Sequence, residues 1–472
     1  MPPAAMPPLF TERRFTAMNL ILWFGVLAGI YAAVRYAPGK ALVWLYVPVL
    51  LVVPDTFHAI TPGLPDPSAN VAVMMPIFLA ALIAYARFWR PSVADLLVIA
   101  IAGLMAYSEY LAAGYSEAQN LLAGTLFQIV APYLVARLAI EREGLHVELA
   151  KRIVVIVFGI ALVGLYEFKF GWNPFLVLPQ PIFGGQGAGW VTTFRYGFAR
   201  VAGPYAHCIL AGMMMILAYR LNRWLEWGGH WEQKFEKLPW LPLSKGRLIT
   251  LGLLLGSVTT IARGPWLGGL AGALFVNAGR HPKRKQAFMA VLSGIVLIAI
   301  PGYIGFQAYL DIQPGVEMTL SQETAMYRKV LFEKYYSIAL DHAWLGWGRN
   351  TWPKVPGMAS IDNYYLLLSL MHGVLTMALL VALMAWMSVR LLRKGLSEPP
   401  QANSLAFTFL GIIVAFFISL VTVYLGENVV PAFFLMLGWA EAYIHGQGAA
   451  GIGGTSSAVQ SARAFKFRRV MR

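Results

Sequence analysis

The chain has 472 residues, of which 58% are hydrophobic and 12% charged, a balance outside that of soluble globular domains. Its formal charge of +15 raises the question of nucleic acid, but the basic residues lie at the ends of apolar runs rather than on one face, which argues against that partner. A single cysteine, Cys208, excludes an intrachain disulfide.

Apolar stretches long enough to cross a bilayer as helices recur from end to end, and many of the 15 Trp flank them as interfacial anchors do. They predict an all-α, polytopic transmembrane bundle of about twelve to thirteen spans. The spans fall near 18–34, 41–53, 70–86, 93–113, 120–140, 153–167, 203–219, 247–262, 264–279, 287–304, 364–389, 405–425 and 429–445. The first lacks a small-residue cleavage site and is expected to be retained. The 41–53 run is short, and reads as re-entrant or as paired with its neighbour.

Alternate connections divide the charge. One set, from Arg35 and Lys40 through Arg280 to Lys285 and the basic C-terminal tail, holds 26 of the 37 basic residues and 9 of the 22 acidic ones. The positive-inside tendency makes that side cytoplasmic. No repeat of fixed period stands out, nor a matched pair of broken spans of the kind inverted-repeat transporters carry.

Two connections on the other side are long. The first, about 168–202, carries Gly184-Gly185, Gly187 and Gly189, which have neither dinucleotide-binding nor phosphate-loop spacing, and then Arg195 and Arg200. The second, about 305–362, has helical periodicity over Glu323 to Leu340 and breaks at Gly346-Trp347-Gly348. Loops of that length inside a compact bundle are usually lids or binding surfaces. The expected organisation is therefore N-terminal helices through 304, a partly helical external segment 305–362, C-terminal helices 363–445, and a disordered basic tail 446–472.

Ionisable residues at membrane boundaries are read first as functional. Asp362-Asn363 opens an apolar helix, and Gly373 follows on a nearby face where a small residue permits close helix approach. Capping of that helix accounts for Asp or Asn there without chemistry. Arg263-Gly264-Pro265 joins two spans in a tight hairpin; Arg263 reads as a snorkelling side chain or as a planar fork for phosphate oxygens. Gly268 and Gly272 fit close helix packing.

Arg195, Arg200 and Arg328 stand near span ends or on the loop helix, where several could converge on one anionic ligand. His207 reads as a satisfied helix-end histidine, and His342 as loop structure. His207 and Cys208 diverge, and no third ligand completes a metal site. Glu109 and Glu167 are expected to snorkel. There is no His-Glu-x-x-His, no nucleophile elbow and no glycosidase-like carboxylate pair.

In combination these residues resemble the O-antigen ligase and polysaccharide polymerase superfamily of bacterial inner membranes. Its ligases carry, after a long periplasmic loop, a His followed by Asn, Ser or Gln, nine residues, Gly, two residues, and Gly, Thr or Tyr. Here the run is Asp362-Asn363, nine residues, Gly373, two residues, Thr376. The stretch from Tyr327-Arg328 to Asp341-His342-Ala343-Trp344-Leu345-Gly346-Trp347-Gly348 is similar to the family's loop helix and its turn, with Trp344 in place of Pro. Arg263-Gly264 matches its arginine at a span junction. Gly203-Pro204-Tyr205-Ala206-His207, preceded by Arg200, is similar to its Pro-Asn segment. The motifs cover roughly 195–376.

The resemblance implies a GT-C-like glycosyltransferase whose donor is an oligosaccharide on undecaprenyl diphosphate. It acts with a glycan acceptor at the periplasmic face, without metal or other cofactor. Catalysis would fall to Asp362 as general base and Arg263 on the diphosphate, with Arg200, Arg328, Arg195 and Asn363 binding substrate. Asp in place of the ligase His looks more like a polymerase of exopolysaccharide or O-antigen repeat units. A ligase to lipid A core or protein, and a lipid-linked oligosaccharide flippase, stay open. Membrane lipid is an obligatory neighbour, and chain-length or export proteins are expected from the family.

Overall fold

A computed structural model describes residues 23–57, 67–180, 192–232, 243–311, 318–358, 360–399, 403–426 and 428–446. The Gly184 to Gly189 run and the tail beyond 446 lie outside these. Among the described residues the chain is helical, save one two-stranded hairpin, β1 (Phe194–Arg195) and β2 (Phe198–Ala199).

A helix occupies each of the thirteen apolar stretches. Six are long and apolar enough to cross a membrane: α3 (Ala69–Phe88), α4 (Val93–Ala113), α5 (Tyr115–Ala139), α6 (His146–Phe170), α11 (Arg284–Leu310) and α13 (Tyr364–Ser397). Four are apolar but shorter: α1 (Trp23–Arg35), α2 (Pro38–Val52), α14 (Leu405–Ser419) and α15 (Val429–Ile444). The short α7 (Pro174–Val177), then α8 (Cys208–Trp227), α9 (Lys245–Thr259), α10 (Arg263–Arg280) and the loop helix α12 (Leu320–Asp341) complete the set. The chain is a helical membrane protein. Helix α2, at about 22 Å, falls short of a 30 Å hydrocarbon core, as the brevity of its apolar run predicts.

Small residues set the closest contacts. A β-carbon on Gly272 would fall 2.3 Å from the Gly411 carbonyl, and one on Gly268 2.5 Å from that of Ala415, so α10 and α14 touch backbone to backbone. Gly438 of α15 does the same against Tyr133 of α5, at 2.0 Å. Aromatic side chains fill the core between: Phe409 meets Trp439 edge-on at 4.8 Å, and Phe416 stacks on Phe433 at 4.9 Å. Helix α11 stands apart, with 6% of its apolar window buried against 33–61% in the other five long helices. Its nearly uniform apolar surface fits contact with lipid tails.

One end of the bundle holds a buried ion pair. Arg137 of α5 meets Asp95 of α4, and both are essentially inaccessible. Tyr133 Oη (2.7 Å) and Trp89 Nε1 (2.9 Å) also donate to Asp95, and Arg137 donates to the Arg90 carbonyl at 2.7 Å. Desolvated charges need that many partners.

Helix α13 is not continuous. Gly373 has φ 84° and ψ 159°, a conformation essentially confined to glycine, so the helix breaks there. The close approach expected of a helix is made instead by residues 343–348. Trp347 and Gly348 donate to the carbonyls of Leu370 and Met371, both at 2.8 Å, and Val374 donates to that of Ala343 at 2.6 Å. A β-carbon on Gly373 would sit 2.2 Å from the Trp344 oxygen. Beneath the break, Ser108 Oγ lies 2.8 Å from His372 Nδ1.

Candidate functional site

At the other end of α10 and α13, α12 lies across the bundle on its own small core of Leu331, Tyr335, Ala339, Ile361, Leu366 and Leu370. A capping box starts it, Thr319 Oγ1 accepting from Gln322 N while the Gln322 side chain accepts from Thr319 N. Two of its tyrosines hold the chain that leads into α13. Tyr335 Oη accepts from Val355 N at 3.0 Å; Tyr327 Oη donates to the Ser360 carbonyl at 2.7 Å and accepts from Ser360 N at 3.4 Å.

Asn363, not Asp362, caps α13: its Oδ1 accepts from Leu366 N at 3.2 Å. Capping therefore does not account for Asp362, whose Oδ1 accepts from Ser360 Oγ at 3.0 Å. The Asn363 oxygen is correspondingly engaged in structure, and its amide nitrogen is the group left for a ligand.

Arg200 follows β2 and is half-buried. Its Nε and Nη2 donate to the carbonyls of Thr260 and Ile261, each at 3.3 Å, where the chain turns from α9 into α10. Ile261 has φ 46°, an uncommon conformation for a β-branched residue. Arg263, the first residue of α10, is exposed; its Nη2 donates to Ser321 Oγ at 2.8 Å and to Tyr196 Oη at 3.2 Å. Tyr196 stands at φ 55° in the β1–β2 turn, and the Arg263 contact draws its hydroxyl below the ordinary tyrosine range. Arg328 is half-buried on α12, with its Nε unpartnered.

Electrostatics tie these groups together. Burial draws the Arg328 guanidinium below its ordinary value; Asp362 opposes that, while Arg195, Arg200 and Arg263 add to it. Burial likewise lowers Arg200, with Arg195 reinforcing and Asp362 opposing the shift. Arg328 thus has three other guanidinium groups and Asp362 near it, and Arg200 has Arg195 and Asp362, an excess of positive charge that suits an anion.

His207 borders the same neighbourhood. It caps α8 through Nδ1, which accepts from Ile209 N at 3.1 Å, and its Nδ1 lies 3.8 Å from Cys208 Sγ. Because His207 precedes the helix, the two side chains meet rather than diverge. Burial, with repulsion from Arg200 against attraction to Asp362, pulls its imidazole to about 4. The ring is neutral at pH 7, with its proton on Nε2 as an uncharged donor. His207 and Arg200 also line a cleft of about 310 Å³, open mouth included, together with Glu167, Asn173, Thr192 and Thr193.

Glu167 and Glu109 do not snorkel. Glu167 is buried and accepts from the backbone N–H of Ala202 (3.1 Å) and Gly203 (2.9 Å), which fixes the segment after Arg200. Glu109, also buried, accepts from Arg349 N at 2.9 Å and pairs with its guanidinium at 3.2 Å, anchoring the turn before Asp362. Sequence spacing shows neither role, because both partners are far away in the chain. His342 packs against Trp347 with ring centroids 3.7 Å apart and planes tilted by 37°, as loop structure. Among the described residues, no group of three His, Cys, Asp or Glu could hold a metal ion. No protein-family model matches the chain, and no curated protein matches it.

Proposed function

We propose that the chain polymerises oligosaccharide repeat units carried on undecaprenyl diphosphate. In this reading it is an inverting GT-C-type glycosyltransferase of the O-antigen ligase and polysaccharide polymerase superfamily. It acts at the periplasmic face of the bacterial inner membrane, with α12 and its flanking segments as the periplasmic loop. What supports the reading is Asp362 beside Arg200 and Arg328, with Arg195 and Arg263 in turn beside Arg328, at one end of the bundle.

An acceptor hydroxyl attacks the anomeric carbon of the donor chain. The new C–O bond forms as the bond to the diphosphate breaks, and the leaving oxygen keeps the electron pair. Charge builds on the diphosphate, so preorganised guanidinium groups stabilise the transition state more than the bound donor. Arg263 and Arg200 each retain N–H groups beyond those given to Tyr196, Ser321 and the 260–261 carbonyls. Arg328 adds its charge beside Asp362 and the other three guanidinium groups. Asp362 takes the acceptor proton; a carboxylate beside arginines is a weak base, adequate when proton transfer is late in an oxocarbenium-like step. His207 supplies an uncharged Nε2–H beside them.

The test is incubation of purified protein with an undecaprenyl-diphosphate oligosaccharide. Wild type should lengthen chains. Asp362→Ala should lose about 100–10,000-fold in rate, and Arg263→Ala about 100–1,000-fold. Activity retained in both variants would defeat the assignment, and transfer to lipid A core without lengthening would make the protein a ligase.

A further inference from the structure

The opposite end of α10 carries a second cluster of arginines for which the proposed transfer has no use. Helix α10 has 18 residues, so Arg280 lies about 25 Å along the axis from Arg263, close to the thickness of a hydrocarbon core. There Arg280 and Arg223 both pack on the Trp227 ring, their guanidinium carbons 3.9 and 4.6 Å from its centroid. Arg220, one turn before Arg223 on α8, is 6% exposed; its guanidinium lies over the Tyr219 ring at 4.3 Å and its Nε has no hydrogen-bond partner.

Arg247, in the first turn of α9, reaches only Glu226, at 3.9 Å. Glu226 is already held by Arg223 at 2.6 Å and Thr250 Oγ1 at 3.3 Å. Among the described residues, Arg280 has no carboxylate partner.

Helix dipoles explain part of this. Arg223 and Arg280 sit in or near the last turns of α8 and α10, where cations are favoured. Arg247 and Lys245 sit in the first turn of α9, where they are disfavoured and an anion is favoured. Among the described residues these four arginines, one of them nearly buried, have Glu226 as their one carboxylate partner, and so are short of negative charge at the level where helices leave the bilayer. Guanidinium forks match phosphate oxygens, and an indole beside them suits the headgroup region.

We propose that Arg223 and Arg280, which share the Trp227 ring, form with Arg247 beside Glu226 and Arg220 one turn earlier on α8 a phosphate-binding site for an anionic phospholipid headgroup on the face opposite the candidate transfer site. The phosphodiester lies between Arg223 and Arg280, with the acyl chains along the apolar flank of α10. The site is independent of the chemistry at Asp362, so either can fail alone.

Native mass spectrometry of the full chain in detergent tests this with phosphatidylglycerol, phosphatidylcholine and inorganic phosphate as probes. Wild type should retain phosphatidylglycerol at least 10-fold better than phosphatidylcholine. The double variant Arg223→Gln, Arg280→Gln should lose most of that preference, and Trp227→Phe should keep most of it. Competition by millimolar phosphate would support the same site with a soluble anion as its source. Equal retention of the two lipids, or an unchanged preference in a double variant whose thermal midpoint matches wild type, would overturn it.

Discussion

Replacing Gly373 with Ala tests whether the break in α13 is what positions the segment carrying Asp362. The φ of 84° and ψ of 159° suit glycine alone, and forcing another residue there costs about 1–3 kcal/mol. The added β-carbon would fall 2.2 Å from the Trp344 oxygen and 2.6 Å from the Leu345 nitrogen, both backbone atoms that cannot swing away. Relief requires residues 343–348 to lift, breaking the hydrogen bonds of Trp347, Gly348 and Val374, each worth about 1 kcal/mol. The sum is roughly 4–6 kcal/mol. Thermal unfolding of purified protein, with both forms scanned at the same rate, should show a midpoint lower by about 5 °C or more. Chain lengthening should fall with it. An unshifted midpoint with full activity would refute the role given to Gly373.

Enlarging Gly272 to Leu should force α10 from Gly411 and destabilise the bundle by more than 2 kcal/mol, roughly the range of severe overpacking; chemical denaturation reads this directly. Asp95→Asn leaves buried Arg137 without its counter-charge and should cost about 3–5 kcal/mol by the same assay, whereas replacing both with apolar residues should cost much less. His207 has a folded value of about 4, below the 6.5 of an exposed imidazole. The unfolded chain therefore binds the extra proton first, and stability is present above about 6.5 and lost as pH falls towards 4, by up to about 3 kcal/mol. His207→Asn, which keeps a capping side chain, should flatten the thermal midpoint between pH 7 and 4.5 relative to wild type; parallel curves would dismiss the effect.

Hydropathy made the helices legible because a bilayer demands long apolar runs whatever their neighbours, and every predicted span coincides with a helix. Gly268 and Gly272 were readable for the same kind of reason, since small residues in apolar helices have few other uses. The break at Gly373 was not. Its sequence context is helical on both sides, and what stabilises the break is a loop arriving from residues 343–348. Glu109 and Glu167 were misjudged because their partners, Arg349 and the Ala202–Gly203 backbone, lie far along the chain. The division of labour between Asp362 and Asn363 was ambiguous for a local reason: either side chain can cap, and only the backbone geometry of the first turn chooses. Tyr196 and Ser321 carried no signal, being ordinary polar residues until the fold sets them beside Arg263.

The double contact of Tyr327 with Ser360 bears on how the site tolerates motion. Arg328 is the next residue on α12, and Asp362 lies two beyond Ser360, hydrogen-bonded to its hydroxyl. Cation and carboxylate are thereby mounted on one stiff bracket. Displacement of α12 relative to α10 would carry that bracket as a unit, because α12 shares its small core with Ile361, Leu366 and Leu370, while the gap to Arg263 across the Ser321 contact would open and close. In the proposed transfer a glycan could pass through that gap while Asp362 kept its distance from Arg328.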